Sequence, residues 1–274
     1  MKMGTTEIAG SKMVEINPEA ENVWGDGRYI KYYLEMMAEK YPESQTEREA
    51  NFLEGAVNLL YGDKLLDLCS GCGRHPIAMA KRGYQVTGVD LSEGLIAHSQ
   101  EKAQNSPVSD QVTFVTGDVC KLEDLGLTPD YKLVYSLASI GYHMTDEMIH
   151  NVMKGAYDLL VKGGYLVLDV INREFLLREF NEKDWTKTKA GHTCLRKTHF
   201  DFESSCVINQ KYLQFPEGSE KMYHQWMRTF TLKELITFVE QNGFTYQRAY
   251  GGFKRGPYSI DSPRLMVVAT REDD

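Results

Sequence analysis

A chain of 274 residues, 42% of them hydrophobic and 26% charged, is long enough for one large domain with or without an insertion, and apolar enough to fill its core. A net charge of −8 with a pI near 5.5 repels phosphate backbones and anionic membrane surfaces, so neither nucleic acid nor a membrane is expected as partner. The longest apolar run, within GGYLVLDVI, falls far short of a membrane span; the start shows no signal-peptide run; and five cysteines in no framework spacing read as free thiols, so a cytoplasmic protein is expected.

Residues 1–25 are polar and aperiodic and read as a mobile arm. From Arg28 to about Lys40, Ile30, Tyr33, Leu34 and Met37 share one helical face. A second helix is predicted from Ser44, whose hydroxyl stands three residues before Glu47 as in a capping box; its apolar stripe is Phe52, Ala56, Leu59 and Leu60. The period then shortens. Short aliphatic or β-branched runs at 64–69, 85–90, 112–117, 132–137 and 165–170 alternate with helical stretches at 76–82, 93–104 and 145–161. That alternation implies a parallel sheet covered on both faces. After Asn172 the rhythm breaks: a helix is predicted over 173–182, then extended segments over 192–230 joined by turn-prone ESS and PEGSE. Trp185 and Trp226 read as core of this cap, and His192, His199 and His224 are too scattered to form a metal site. A helix capped by Thr231 and closed by Gly243 follows, then strands near 244–250 and 264–270. The expected architecture is α/β: one doubly wound domain over 26–274, with residues 173–230 inserted as an antiparallel cap.

The chemistry concentrates in LLDLCSGCGRHP, residues 65–76, where Cys69-x-x-Cys72 overlaps Gly71-x-Gly73. Zinc needs four ligands, and no second cysteine pair or closely spaced histidine pair exists. A redox dithiol at a helix N-terminus is conceivable, but no thioredoxin-like layout surrounds it. Small residues tolerated in a tight turn explain both cysteines better. A strand, a glycine loop and a helix form a nucleotide site, yet Pro76 stands where a dinucleotide fingerprint has its third glycine. Asp67 at the strand's end would face a pyrophosphate unfavourably but would suit a cationic group. S-adenosylmethionine has an α-ammonium and no phosphate, so Asp-x-x-x-Gly-x-Gly fits it better than a nicotinamide cofactor. Asp90, ending the second strand, can accept from both ribose hydroxyls. Asp118, after the third, can take the adenine amino group while the Val119 amide meets a ring nitrogen.

With LLDLCSGCGRH, VTGVDLSEGLI, VTGDVCKL, KLVYSLASIGYHM and LLVKGGYLVLDVIN in view, the chain resembles the class I S-adenosylmethionine-dependent methyltransferases of the small-molecule kind, over about 45–170 and 229–270. The resemblance implies a Rossmann-like seven-stranded sheet of order 3-2-1-4-5-7-6 with the last strand antiparallel, and S-adenosylhomocysteine as product. It also implies a cofactor site built from Asp67, Cys69, Gly71, Gly73, Asp90, Leu91, Asp118, Val119 and Leu137. SLAS after the fourth strand replaces the Asn/Asp-Pro-Pro-Tyr of enzymes that methylate exocyclic or amide nitrogens, and no Pro-Cys pair of cytosine C5 enzymes occurs. Both absences, with the acidic pI, favour a small-molecule acceptor, bound by a monomer or homodimer, with a protein or peptide acceptor as the alternative.

An activated sulfonium needs alignment more than a catalytic triad. Tyr29 and Tyr33 are candidates to close over the sulfonium face, Asn172 and Arg173 to bind a polar or anionic acceptor, and His143 to act as general base. The rival readings are an NAD(P)-dependent Rossmann oxidoreductase, a non-catalytic cofactor-binding member of the same fold and, more weakly, an aminopropyl transferase.

Overall fold

The computed structural model describes residues 23–272. The expected N-terminal arm lies outside these residues, except that Val23–Gly25 form a short 3-10 turn with Val23 buried. Helix α1 (Gly27–Lys40) starts at Asp26, whose carboxylate accepts from the Arg28 amide, and α2 spans Glu43–Ala56. The α2 cap differs from the sequence reading: Pro42 takes the N-cap position, so Ser44 lies inside the first turn and builds no capping box. Leu60, placed on the α2 stripe, lies beyond the helix end and is exposed.

Five strands follow, β1 (Lys64–Leu68), β2 (Gln85–Asp90), β3 (Val112–Thr116), β4 (Tyr131–Leu137) and β5 (Leu160–Ile171). Between them run α3 (Arg74–Ala80), α4 (Glu93–Gln104) and α5 (Asp146–Leu159), while a 3-10 turn over Val119–Leu125 links β3 to β4. After the cap come α7 (Leu232–Gln241), and strands β10 (Thr245–Tyr250) and β11 (Arg264–Thr270). The main sheet has the order β3-β2-β1-β4-β5-β11-β10. Its first five strands are parallel, and β11 inserts antiparallel between β5 and β10. The expected order is thus the observed one.

The inner strands β1, β4 and β11 are buried on both faces, which is why they read as nearly continuous apolar runs, while the edge strands β3 and β10 keep exposed positions. Leu66 and Leu68 face one layer with Ile149, Val152 and Phe238 from α5 and α7. Leu65, one residue along and therefore on the opposite face, joins Phe52, Leu53, Ile77 and Ile96 from α2, α3 and α4.

The cap begins with α6 (Arg173–Arg178), shorter than predicted, and comprises β6 (Lys183–Lys187), β7 (Thr193–Asp201), β8 (Cys206–Gln214) and β9 (Glu220–Arg228) in one antiparallel sheet. Strand β6, too polar to be seen by hydrophobic alternation, was missing from the sequence reading. One end of the inner face packs on α1 through Cys194, Leu213 and Tyr223; the other packs on α6 through Phe200, Val207 and Met227. The β4–α5 loop is stitched to β9 between them: the His143 amide donates to the Trp226 carbonyl at 3.0 Å, and the Arg228 amide to the Gly141 carbonyl at 2.8 Å. Gly141 has φ of +100°, and a Cβ there would stand 2.4 Å from the Arg228 carbonyl, so only glycine allows this approach.

Candidate functional site

The carboxyl ends of β1, β2, β3 and β4 open on one crevice, the usual position of a ligand in an open α/β sheet. Between β1 and α3 the chain turns through three residues of positive φ, Cys69 at 62°, Gly71 at 56° and Gly73 at 70°. Two are glycine, at little conformational cost; Cys69 is held there against its preference. A Cβ on Gly73 would lie 2.8 Å from Phe114 and Ser99. Burial raises the Cys69 thiol well above its ordinary value. Among the described residues all five cysteines are free, and no cluster of three or more His, Cys, Asp or Glu is arranged to hold a metal.

Asp67 lies just beneath this turn, 2% exposed, and its Oδ2 has no hydrogen-bond partner. Burial raises its carboxyl well above the carboxylate range, with Arg74 and Tyr135 pulling the other way and Asp90 adding to the rise. A buried carboxyl oxygen without a partner is costly. A cation at the turn would remove that cost.

Asp90 is already in harness: Oδ2 accepts from the Gly71 amide at 2.8 Å and Oδ1 from the Ser92 amide at 3.0 Å. Burial raises its carboxyl and these two amides lower it. The same side chain thus fixes the glycine loop and presents oxygens at the end of β2. Next to it Leu91 is half exposed, at 51%. Asp118 Oδ1 caps the following turn through the Cys120 amide at 2.9 Å, with Val119 buried beside it. Leu137 ends β4, buried, ahead of Ala138 at φ of 66°.

The two tyrosines of α1 separate. Tyr33 stands over the loop, its hydroxyl 3.4 Å from where a Gly71 Cβ would sit, and its ring meets Trp24 edge-on at 5.2 Å. Tyr29 belongs to the seam with the cap, packed on Trp24 and Tyr223 and accepting from Gln225 Nε2 at 3.0 Å.

His143 projects from the β4–α5 loop at φ of 53°, with Nε2 buried and without a partner. Burial lowers its imidazole, and the Lys211 charge lowers it further. Asn172 and Arg173 do not join it. The Asn172 side chain caps α6 through the Glu174 and Phe175 amides, donates to the Ser259 and Ser262 carbonyls at 3.0 and 2.8 Å, and accepts from the Tyr258 hydroxyl. Every polar atom of that side chain is engaged. Arg173 reaches Ser205 Oγ at 3.0 Å and Glu234 at 3.4 Å, tying α6 to the cap and to α7.

Sequence reading missed a network behind the loop. Glu49 of α2, 2% exposed, receives Arg74 and lies 2.7 Å from His75 Nε2. Burial alone would raise the Glu49 carboxyl, but His75 and Arg74 outweigh it and hold the value at about 2. Burial keeps His75 below its ordinary value, so the Arg74 guanidinium neutralises the carboxylate. A cavity of about 180 Å³ adjoins this network, between Arg74, Leu137 and the buried Asp169–Arg264 pair. A larger depression of about 370 Å³ at Val57, Tyr165 and Thr270 lies at the opposite, amino end of the parallel strands and away from the crevice. Among the described residues no helix is long and apolar enough to cross a membrane.

Comparison with known proteins bears on the family and the fold. Residues 65–164 match the family described as a methyltransferase domain. A putative methyltransferase of Geobacillus sp. (strain WCH70) is 31% identical over 213 residues, covering 76% of this chain and 84% of its own. The glycine/sarcosine N-methyltransferase of Aphanothece halophytica is 22% identical over 251 residues, covering 89% of this chain and 91% of its own. Among solved structures, the CcbJ methyltransferase of Streptomyces caelestis superposes with a TM-score of 0.71 at 21% identity over 86% of this chain and 95% of its own.

Proposed function

Since the chain belongs to the class I S-adenosylmethionine-dependent methyltransferases, we propose that it moves a methyl group to a small-molecule acceptor held between the strand ends and the cap. The observation that carries the site assignment is the orphaned carboxyl oxygen of Asp67 beneath a glycine turn. It suits an α-ammonium, and a nicotinamide dinucleotide would bring a pyrophosphate to the same place. In this reading Gly71 and Gly73 let the ligand approach bare backbone, while Cys69 contributes only its main chain. Asp90 takes the ribose hydroxyls beside Leu91. Asp118 and the Val119 amide take the adenine, and Leu137 walls the crevice. The distant relative that acts on glycine or sarcosine supports a small acceptor, not its identity.

When bound, the cofactor supplies a methyl group on a sulfonium that is already a good leaving group. The residues of this chain supply the rest. Proximity and alignment in such a crevice are worth roughly 7–11 kcal/mol. Tyr33 offers a ring and hydroxyl over the loop, an arrangement worth about 0.5–2 kcal/mol toward a cation. Tyr29 shapes the same wall from the cap seam. His143, neutral at pH 7 because burial and Lys211 lower its pKa, can receive a proton on Nε2 when the acceptor must lose one. Asn172, committed to structure, holds the cap entry rather than the acceptor, while Arg173 ties α6 to Ser205 and Glu234 through one terminal nitrogen and leaves its buried Nε without a partner.

Calorimetry tests the site. Gly71→Arg and Asp90→Ala should each abolish S-adenosylmethionine binding while circular dichroism stays native, and normal binding by both would refute the assignment. Release of S-adenosylhomocysteine with amine, hydroxyl and thiol acceptors tests turnover. In such an assay His143→Ala should lower kcat and remove one ionisation from the pH–rate profile.

A further inference from the structure

Between its two apolar ends the inner face of the cap is polar. Strand register sets Arg196, Lys211 and Tyr223 in one rung, and Thr198, Asn209 and Gln225 in the next. Two groups in these rungs are left unmatched. Arg196 is engaged by Asp184, Arg264 by Asp169 and Lys221 by Asp26, but Lys211 makes no ion pair or hydrogen bond among the described residues. Its burial lowers the ammonium to about 8, with Arg196 and Lys40 adding to the fall, while Cys194 and Asp184 act against it. It retains a partly exposed edge. Gln225 is 2% exposed; its amide nitrogen donates to Tyr29, and its Oε1 has no partner. The β4–α5 loop faces both. Tyr142 bridges Met227, two residues from Gln225, and His143 senses the Lys211 charge.

A cation in a recess without a counter-ion costs desolvation that an anionic ligand would offset. A glutamine oxygen can only accept, so it calls for an N–H or O–H. From these two unmet demands, in neighbouring rungs of the cap beside the β4–α5 loop, we infer that the methyl acceptor is a small carboxylate bearing an N–H or O–H group, its carboxylate at Lys211 and its donor at Gln225. This rests on the methyl-transfer reading above. A single free lysine matches one negative charge. A phosphate would bring a second charge against Gln225 Oε1 and the neighbouring Asp184, so the carboxylate is favoured.

The test uses matched pairs: glycine against glycinamide, and para-hydroxybenzoate against its amide, with phosphoethanolamine as the phosphate probe. Wild-type protein should turn over a carboxylate in preference to its amide. Lys211→Met should raise KM for that carboxylate by roughly 30-fold or more with kcat little changed, and Lys211→Arg should restore part of it. S-adenosylmethionine binding should be the same in all three proteins. Equal or better use of the amides, preference for phosphoethanolamine, or a fall in kcat at constant KM would overturn the inference. A second readout needs no turnover. In protein loaded with S-adenosylhomocysteine, a carboxylate of the panel should slow trinitrobenzenesulfonate labelling of Lys211, read by peptide mass spectrometry, and its amide should not. Absence of protection by both carboxylates would also overturn it. If wild-type protein binds no S-adenosylmethionine, it is the methyl-transfer reading that fails, and calorimetry separates that failure from this one.

Discussion

Asp67 and Glu49 are both buried carboxyls of about 2% exposure, yet their surroundings drive them in opposite directions. Asp67 has an unpartnered oxygen and is pushed up; Glu49 has His75 and Arg74 and is held at about 2. The Glu49 shift is a statement about stability. Its folded value lies below its unfolded one, so the contribution is complete above pH 4.5 and is lost as pH falls toward 2. The wild-type advantage over Glu49→Gln is expected to be about 3 kcal/mol at pH 7 and to vanish near pH 2, as read by urea denaturation across pH. Gly73 gives a second expectation at this scale. Gly73→Ala must adopt φ of +70° and place a methyl 2.8 Å from Phe114 and Ser99, which should cost roughly 2–4 kcal/mol in the same measurement. Such residues differ in legibility. The Asp67, Gly71 and Gly73 pattern is visible in sequence because it is contiguous. Glu49 is not, because a glutamate inside a polar-looking helix carries no mark of a partner 25 residues away.

The elements were legible wherever local pattern decides them. Strands β2 and β11 and helix α4 fall where the periodicity places them, and Thr231 builds its capping box with Glu234. Asn172 shows how element ends mislead. At a strand's carboxyl end, followed by arginine, it has the sequence appearance of a ligand-binding residue. Its partners Ser259 and Ser262 come some 90 residues later, beyond any local signal. Asn172→Ala should therefore destabilise by about 2–3 kcal/mol, from a lost cap and from the buried Ser262 and partly buried Ser259 carbonyls left unpaired. Chemical denaturation of the purified variant checks this, and Asn172→Ser, which keeps only the cap, should recover part of the loss. The cap failed in the other direction: Trp185, read as core, is 67% exposed on the outer face of β6.

Across the whole molecule, the crevice depends on parts far apart in sequence. The loop at Cys69–Gly73 is closed by Asp90, roofed by Tyr33 and backed by Glu49, so α1, α2, β1 and β2 meet around it. Binding to the folded state alone stabilises it. S-adenosylmethionine at about 100 times its Kd should add about 2.7 kcal/mol, raising Tm by roughly 5–10 °C for a chain of this size. Asp90→Ala should show no such rise in calorimetric melting.

Sequence alone determined the α/β alternation, the sheet order through family resemblance, and the glycine loop with its three strand-end aspartates, because each is written in residues a few positions apart. Tertiary structure alone decided which polar groups are spent and which are free. Asn172 is consumed in holding the cap, whereas Lys211 and Gln225, unmarked in polar strands, are set in neighbouring rungs of the cap sheet and left unmatched. The physical reason is that satisfaction of a buried polar group is a property of its neighbours in space, and folding supplies those from elements up to about two hundred residues apart, as with Gln225 and Tyr29.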